Sequence, residues 1–452
     1  MTSHTIVILI DHKGRDLMGA SLIAYHLEKL GYQVHLEPLQ AFKASILAWK
    51  PCLVILNHIV HENMADFSSQ LHQQGILVAC LLNEGLCLTD SNLEYMSKPQ
   101  YSNIHCDLFL TWNERHTQSL IKYRFVHSPE QVVTVGSPRF DFYKHPWNTL
   151  FIKKREHNRI NVLINSTFAM AHFYDRPEKE KNSLYKSLGD GQIKETIDYK
   201  KLIMAHHEGM LQLPAFIQPL IESDKFNITL RPHPREEITF YQKFIDELSK
   251  NQKPHIQINT HDTIQSAIIN TDIVINCEDC TTSVEAWICN KPTITLTFSK
   301  HPVFFTRTYS EKSPLISEPE KLVSSILKEL SSPNQEKYSE DRNLYLQQWL
   351  YKVDGNSSLR SANAIHKTII RQSPAPHYPN TIQNLRRAIK LRFTRTIDEP
   401  YNTRIRHIVK RLILGDKGNQ SMKYRNYLKA VRPSDAESIK EKILGIHMTT
   451  PK

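Results

Sequence analysis

Residues 5–36, TIVILIDHKGRDLMGASLIAYHLEKLGYQVHL, hold two apolar runs separated by a stretch with a different period. The runs Thr5–Ile10 and Gln33–Leu36 have the length and composition of buried strands. Between them, Leu17–Leu30 repeats apolar residues at helical spacing, and Gly31 follows as a natural helix stop. A strand, a helix and a second strand in this order predict a parallel βαβ unit.

The alternation of strands and helices continues in two blocks. The first block has further strand-like runs at Cys52–Leu56, Ile76–Leu82, Leu108–Thr111 and Gln131–Val135. The second block has such runs at Ile160–Asn165, Phe226–Leu230, His255–Ile258, Ile273–Asn276 and Thr293–Thr297. Helical patterns fall at Asp198–Ser223, Glu237–Lys250, Thr263–Asn270, Ser283–Cys289 and Glu318–Leu330. We therefore predict an α/β protein with two Rossmann-like, doubly wound domains facing a cleft, the architecture called GT-B.

Positive charge is concentrated near the C-terminus. The chain of 452 residues has a formal net charge of +11. Residues 381–432 hold 14 Lys and Arg against three acids, which is also +11. A Pro-rich stretch, SPAPHYPN, precedes this segment and reads as a linker. We predict an N-terminal domain at 1–150, a second domain at 151–370 and a basic helical tail at 371–452.

The composition argues against several classes of protein. Glycine is scarce, with 13 residues, and neither G-x-G-x-x-G nor G-x-x-x-x-G-K-[ST] occurs, which disfavours Rossmann dehydrogenases and P-loop nucleotidases. The seven cysteines lie mostly in apolar runs, as reduced core residues do. The C-x-x-C at Cys277–Cys280 has no second pair at zinc spacing. With no signal pattern and no apolar run of membrane-spanning length, we expect a cytoplasmic protein without a bound metal.

The stretch ITLRPHPREE, residues 228–237, ends an apolar strand with an arginine and a histidine among prolines. Because strands tolerate proline only at their ends or edges, Arg231 and His233 are expected on a stiff turn. A guanidinium binds phosphate through two hydrogen bonds, and an imidazole can donate to a phosphate oxygen or act as an acid. We interpret the pair as a phosphate contact. An exposed turn with incidental polar residues is the alternative.

Three hydroxyl residues precede the last helix of the second block. Thr281, Thr282 and Ser283 would place their side chains beside the unpaired N–H groups and the positive dipole end of that helix. The pattern indicates an anion site without a Gly-rich loop. Plain helix capping explains the same residues.

Other polar residues also follow strands. Glu84, directly after the run that ends at Leu82, is a candidate general base, or a surface acid before a turn glycine. Asn165 and Thr167 stand at the tip of the first strand of the second block. They suit a nucleotide or its sugar, or they satisfy the loop backbone.

Charged loop residues of the first block complete the predicted site. Lys13, Arg15 and Asp16 follow the first strand, and Arg139 lies where the chain leaves the block. We assign these four residues to the acceptor side of the cleft, where cations suit an acidic ligand. A surface cluster at a helix start is the alternative.

Together the motifs resemble one family. In chain order they are RD followed by AYHLEKLGYQVHL, NEG, TWN with VVTVGSPRFD, VLINSTF, LRPHPRE and CTTSVEAWICNKP. The set resembles bacterial surface-carbohydrate biosynthesis proteins, the GT-B glycosyltransferases of lipopolysaccharide and capsule assembly. The resemblance spans about residues 5–330 and leaves the tail uncovered.

A sharper similarity is to GT-B enzymes that use CMP-activated acidic sugars, the Kdo transferases and sialyltransferases. It implies a base at Glu84, a donor-phosphate contact at His233, a phosphate cradle at Thr281, Thr282 and Ser283, and a ribose contact at Glu285. Asn83 stands where those enzymes carry a further acid. The implied reaction is metal-independent transfer of Kdo or a nonulosonate to a glycan or lipid-linked acceptor. The nucleotide sugar is a co-substrate, and no cofactor is implied.

Three alternatives stay open. CDP-glycerol or CDP-ribitol phosphotransferases are similar in their HP and hydroxyl-rich elements and would use histidine as base. UDP-sugar 2-epimerases share the architecture but need additional carboxylates. A catalytically inactive GT-B scaffold of glycan assembly fits the absence of an acid at Asn83.

The tail interleaves cations with apolar residues, as in LRRAIKLRF and IRHIVKRLIL. Such segments adsorb to anionic lipid headgroups, and few aromatic residues argue against nucleic acid. We expect residues 381–432 to attach the protein peripherally to the inner face of the cytoplasmic membrane. A solvated pair of basic helices that packs on the catalytic body is the alternative.

Overall fold

The structure is a computed structural model that describes residues 4–59, 61–82, 85–86, 90–155, 158–182, 199–298, 310–331, 335–378, 382–399, 401 and 431–449. The chain forms two compact units. Unit 1 combines Met1–Leu150 with Leu346–Lys452, and unit 2 is Phe151–Tyr345.

Unit 1 contains a sheet of six parallel strands in the order β2-β1-β3-β4-β5-β6. The strands are β1 (Thr5–Ile10), β2 (Gln33–Pro38), β3 (Leu53–Leu56), β4 (Leu77–Leu81), β5 (Leu108–Thr111) and β6 (Val132–Thr134). Its helices include Met18–Lys29, Phe42–Trp49, Glu62–Gln73, Asp90–Ser97, Glu114–Lys122, Ser357–Gln372, Ile382–Thr396 and Pro433–Thr449.

Unit 2 contains a second parallel sheet of six strands in the order β12-β11-β10-β7-β8-β9. The strands are β7 (Ile160–Asn165), β8 (Phe226–Arg231), β9 (Ile256–Ile258), β10 (Ile273–Cys277), β11 (Thr293–Leu296) and β12 (Leu315–Ile316). Its helices include Tyr199–Glu222, Ile238–Glu247, Ile264–Ile269, Thr282–Ile288 and Leu322–Ser331. The helix Gln335–Leu350 contains the boundary between the units.

The predicted architecture of two parallel, doubly wound sheets is confirmed. Every predicted strand is present within two residues at each end. In β1, Ile6, Ile8 and Ile10 join the core on one face of the sheet, while Val7 and Leu9 join the core on the other. Burial on both faces explains why this strand is apolar at every position. The sequence did not indicate β12, because two residues are too short to show a period.

The division of the chain differs from the predicted boundaries near residue 370. The helix Ser357–Gln372 packs on Met18–Lys29, and its Ile365 and Ile369 belong to the core of the first sheet. The last helix, Pro433–Thr449, packs on the same surface, where Lys440 forms a salt bridge with Glu28. The apolar faces of these later helices complete a layer of unit 1, so the chain after residue 345 belongs with the first 150 residues.

Asp141, within the predicted motif GSPRFD, joins the two chain segments of unit 1. Its carboxylate accepts hydrogen bonds from the backbone N–H groups of Ser357 (2.9 Å) and Ser358 (2.7 Å) and from the Ser358 hydroxyl (2.6 Å). A buried carboxylate at a helix N-terminus satisfies unpaired N–H groups and interacts favourably with the helix dipole. Burial nevertheless raises its pKa above the ordinary value. This motif residue thus has a structural role.

Among the described residues, no helix is both long enough and apolar enough to cross a bilayer.

Glu37, at the end of β2, is a fully buried acid held by two donors. Its Oε1 accepts hydrogen bonds from Trp49 Nε1 (2.9 Å) and Arg395 Nη1 (2.7 Å). Burial raises its pKa from 4.5 to about 7, although the Arg395 guanidinium opposes this shift. The Glu37 side chain therefore attaches the helix Ile382–Thr396 to the sheet. This attachment depends on a carboxyl group that titrates near neutral pH.

We expect Glu37 to make stability depend on pH. Because its folded pKa lies above the unfolded value, its contribution is full below pH 4.5 and falls as pH rises through about 7. The free energy of unfolding of the native chain, relative to Glu37→Gln, should drop by about 3 kcal/mol across that window. Denaturant titrations of both proteins at several pH values measure this difference. A constant difference across the window would contradict it.

Candidate functional site

Three adjacent strands of unit 2 end in polar residues at the same edge of the sheet. The parallel register pairs Asn276 of β10 with Asn165 of β7, and Asn165 with Arg231 of β8. In open α/β sheets, ligands bind beyond this carboxyl edge. The predicted residues Asn165 and Arg231 are therefore brought together, and Asn276 joins them.

A hydrogen-bond network ties this edge to the helix Thr282–Ile288. Asn276 Oδ1 accepts from Asn165 Nδ2 (3.0 Å) and from the Thr282 hydroxyl (2.5 Å), and Asn276 Nδ2 donates to Ser283 Oγ (2.7 Å). The hydroxyls of Thr282 and Ser283 are thus bonded within the protein. Their visible role is to position the helix.

The other predicted donor-side residues differ in exposure. Thr281 begins the helix, is half-buried and makes no capping hydrogen bond with its side chain. Thr167 donates its hydroxyl to the carbonyl of Cys277 (2.6 Å). Glu285 lies inside the helix with 2% of its surface exposed. Of the predicted cradle, Ser283 is buried and Thr281 and Thr282 are half-buried, and Thr282 already donates its hydroxyl to Asn276.

The turn after β8 is organised by a buried acid, Glu236. Its Oε1 accepts from the backbone N–H groups of Phe168 (2.8 Å) and His233 (3.1 Å). Its Oε2 accepts from the hydroxyls of Ser166 (2.7 Å) and Tyr241. Burial raises the pKa of Glu236, and these hydrogen bonds oppose the shift. One carboxylate therefore joins the loop after β7 to the turn that carries His233.

The backbone of this turn also fixes the tautomer of His233. Nδ1 of the ring accepts the backbone N–H of Arg235 at 3.2 Å. An accepting nitrogen carries no proton, so a neutral ring carries its proton on Nε2. In this state the Nε2 edge of His233 is a hydrogen-bond donor.

Two neighbours complete the surroundings of the Arg231–His233 pair. Arg231 Nη1 donates to the carbonyl of Asp262 at 2.8 Å, which holds the guanidinium at the strand end. His206, on the helix Tyr199–Glu222, accepts the backbone N–H of Met170 at its Nδ1. Burial, and to a smaller extent the nearby His233, lower the pKa of His206 to about 4. His206 is therefore a neutral ring at physiological pH.

Unit 1 has its own pocket at the carboxyl ends of its central strands. The pocket encloses about 480 Å³ of empty space, part of it open to solvent. Its polar lining consists of Arg15, Asp16, Asn57, Trp112, Ser137 and Arg139. Arg15, Asp16 and Arg139 were predicted on this side and do meet here.

Two lining residues present buried polar atoms to this pocket. Asn57 Oδ1 and Ser137 Oγ are buried, and neither has a hydrogen-bond partner among the described residues. Buried polar atoms without partners are costly and mark places where a ligand or water completes the bonding. Asp16 is likewise buried, which raises its pKa, while the Arg15 guanidinium lowers it. The pocket thus combines unsatisfied polar groups with Arg139 and with Arg15, whose guanidinium is ion-paired with Asp16 (2.6 Å) and Asp11 (3.0 Å).

Two predicted residues do not join this pocket. The amine of Lys13 forms a salt bridge of 3.2 Å with Asp435 of the last helix and is absent from the lining. Glu84, the predicted base, lies outside the described residues, as does Asn83. Leu82 and Gly85, which flank these two residues in the chain, both contact Trp112. The Trp112 indole N–H donates to the Leu82 carbonyl at 2.8 Å. A Cβ at Gly85 would lie 2.7 Å from the same ring, so glycine is needed for this approach.

One group of metal-competent side chains occurs among the described residues, at the opposite edge of the sheet from the pocket. His105 and Asp107 lie just before β5 and His72 lies in the helix Glu62–Gln73, and the two imidazoles stack with ring centroids 3.5 Å apart. The group is remote from the carboxyl edge and takes no part in the candidate site.

Comparison with protein families finds no match to this sequence, and comparison with curated proteins finds none either. Among solved structures, a Listeria monocytogenes protein assigned as a UDP-N-acetylglucosamine 2-epimerase matches with a TM-score of 0.50 and 14% identity, covering 84% of this chain and all of that one. The wall teichoic acid polymerase TagF matches with a TM-score of 0.45 and 14% identity over 82% of this chain and 90% of that one. A glycosyltransferase from Rickettsia africae matches with a TM-score of 0.45 and 13% identity over 82% of this chain and all of that one.

At these identities the similarity concerns the fold alone. Two Rossmann-like units with six parallel strands each are the GT-B fold, and this protein has it. No family assignment follows from the comparisons.

Besides Asn276 and Ser137, sequence reasoning missed three residues that the structure places in the site. Glu236 stands beside Glu237 in PREE, and nothing in the pattern separates the buried acid from the exposed one. His206 lies in a helical stretch without a strand end to mark it. Asn57 directly follows β3, and its position after an apolar run was the signal that could have found it.

We expect Glu236 to be essential for the integrity of the turn. Glu236→Ala leaves the buried N–H of Phe168 and the half-buried N–H of His233 without their acceptor and should lower the free energy of unfolding by about 3 kcal/mol. Glu236→Gln keeps one carbonyl oxygen for those N–H groups and should cost about 1 kcal/mol. The exposed neighbour provides the control, since Glu237→Ala should change stability by less than about 0.5 kcal/mol. Equal losses for Glu236→Ala and Glu237→Ala in urea titrations would refute this assignment.

Proposed function

We propose that this protein is a glycosyltransferase that binds a nucleotide-activated sugar at the carboxyl edge of unit 2. The donor we favour is a CMP-activated acidic sugar, Kdo or a nonulosonate, used in bacterial surface-polysaccharide synthesis. The resemblance of the sequence motifs supports this choice of donor and pathway. The GT-B fold is compatible with it and with the alternatives.

The observation that carries the proposal is the hydrogen bond between the backbone N–H of Arg235 and Nδ1 of His233. The tautomer favoured by the Arg235 N–H makes the Nε2 edge of the neutral ring a donor. A donor suits a phosphate oxygen on which charge builds as the nucleotide leaves. A phosphotransferase of the CDP-glycerol or CDP-ribitol kind would instead need His233 as a base with a lone pair on that edge.

In the proposed donor site, Arg231 and His233 bind the phosphate and Thr281 adds a hydroxyl. The network of Asn165, Thr282 and Ser283 keeps these groups in register at the strand ends. Because buried Glu236 holds the turn in place before any ligand arrives, little ordering cost remains on binding. Glu285, with 2% exposure, and Thr167, bonded to a carbonyl, have supporting positions in this scheme.

The pocket of unit 1 is the proposed acceptor site. Arg139 provides charge for an acidic acceptor, Arg15 is held by its ion pairs with Asp16 and Asp11, and Asn57 and Ser137 provide partners for hydroxyl groups. In the reaction, an acceptor hydroxyl attacks the anomeric carbon of the sugar and the bond to the phosphate oxygen breaks. CMP leaves with the bonding electrons, and the acceptor proton passes to a base. We keep Glu84 as the candidate for that base on the strength of the NEG motif.

We expect the protein to prefer CMP over CDP, UDP and UMP in isothermal titration calorimetry. His233→Ala should weaken CMP binding roughly tenfold, because it removes one hydrogen bond to a charged group. His255→Ala, at a histidine that directly precedes β9 and so lies at the amino end of the sheet, opposite the proposed donor site, is the matched control and should leave affinity unchanged. A preference for CDP would favour the phosphotransferase, and no nucleotide binding would favour the inactive scaffold.

The two proposed subsites should separate in experiments. Arg139→Gln removes a cation from the unit 1 pocket and should abolish transfer to an acceptor while CMP affinity stays within about twofold, since all proposed donor contacts come from unit 2. Glu84→Gln should likewise spare CMP binding and lower turnover by roughly 100-fold or more. Calorimetry and a product assay on the same protein samples test this. Loss of CMP binding in either variant would contradict the division of roles.

A further inference from the structure

The helix Ile382–Thr396, here called the basic helix, exposes a stripe of large apolar residues. Leu385 is 62% exposed, Ile389 57% and Phe393 62%, and the next residue in the series, Ile397, is 42% exposed. A spacing of four residues places side chains on one face of a helix. The stripe thus runs along the whole length of the basic helix.

The opposite face of the basic helix is anchored in unit 1. Ala388, Leu391 and Thr394 are buried, and Ala388 and Leu391 pack against the helix Phe42–Trp49. Arg395 donates to the buried Glu37 at 2.7 Å. The helix therefore cannot roll to hide its stripe without breaking a buried ion pair.

The charge around the stripe is of one sign. Arg386 and Lys390 are exposed on the same side, Arg392 donates to the Ala48 carbonyl at 2.9 Å, and residues 382–396 contain no acid. Lys43 and Lys50, on and after the helix beneath, are also exposed. The next acid in the chain, Asp398, accepts two hydrogen bonds from Ser434. A cationic surface with a central apolar stripe is complementary to anionic headgroups above an acyl layer.

Charge also argues against the other occupants of this surface. A symmetric dimer would place two basic helices against each other, and like charges across an interface oppose association. Residues 402–430, outside the described residues, carry eight Lys and Arg against one acid, so they too would bring positive charge to the stripe. Single-stranded nucleic acid is bound by stacking on aromatic rings, and the stripe offers only Phe393.

We propose that the stripe of the basic helix docks the protein on anionic lipid. Leu385, Ile389 and Phe393 enter the boundary between headgroups and acyl chains, and Arg386 and Lys390 bind the lipid phosphates. Binding of this kind lies in the plane of the membrane and needs no spanning helix.

The test is co-sedimentation of the full chain with vesicles of phosphatidylcholine and phosphatidylglycerol, compared with pure phosphatidylcholine. The native protein should pellet with the anionic vesicles and stay in solution with the neutral ones. Leu385→Ser with Phe393→Ser should weaken binding roughly tenfold or more, because two inserting side chains are lost. Arg386→Glu with Lys390→Glu should weaken it roughly 20-fold or more.

Matched controls separate the surface from general effects. Ile370→Ser removes an apolar residue that is 65% exposed on another helix, and Lys328→Glu with Lys250→Glu makes the same change in net charge elsewhere. Both control proteins should bind like the native chain, and all variants should keep the native thermal midpoint. Unchanged binding of the stripe variants, or equal loss in the controls, would overturn the proposal. So would a dimer that only the stripe variants dissociate, or RNA binding that the stripe variants lose while lipid binding persists.

Discussion

The buried carboxylate of Glu236 is the interaction on which the candidate site of unit 2 depends. Four donors from the loop after β7, the turn after β8 and the helix that follows converge on its two oxygens. Two loops that are 65 residues or more apart in the chain therefore share one acceptor group and keep a fixed spacing. The orientation of His233, and with it the chemistry available at the strand end, follows from this shared bond.

The fold could be predicted from the sequence because each buried strand can be recognised from its own residues. A strand buried on both faces must be apolar at every position, so β1 and β3 stood out without knowledge of their partners. The position of Arg231 and His233 was readable for a similar reason, since prolines end a strand wherever it packs. The roles of Thr282 and Ser283 were not, because their partner Asn276 becomes visible only when strand and helix are assembled.

Neighbouring residues of the same charge can also differ in burial and in their partners, and no local sequence pattern shows this difference. Glu236 is buried and Glu237 is exposed, although both follow the same turn. Lys13 and Arg15 sit in one short segment after β1, yet one pairs with Asp435 and the other lines the pocket. The partner that decides the fate of Lys13 lies 422 residues along the chain. The basic tail could not be predicted in this detail for the same reason. Its Arg395 pairs with the buried Glu37, whereas Arg386 and Lys390 are exposed.

Unit 1 consists of two chain segments with unit 2 between them. This arrangement sets the order in which the two units can fold during synthesis. Unit 2 is one continuous segment, and the ribosome completes it while unit 1 is still half made. One apolar face of the first sheet stays uncovered until the helices Ser357–Gln372 and Pro433–Thr449 have been made, because these helices follow unit 2 in the chain. Apolar strands that are exposed in a nascent chain are prone to aggregation, so this face of the first sheet is vulnerable until those two helices are made.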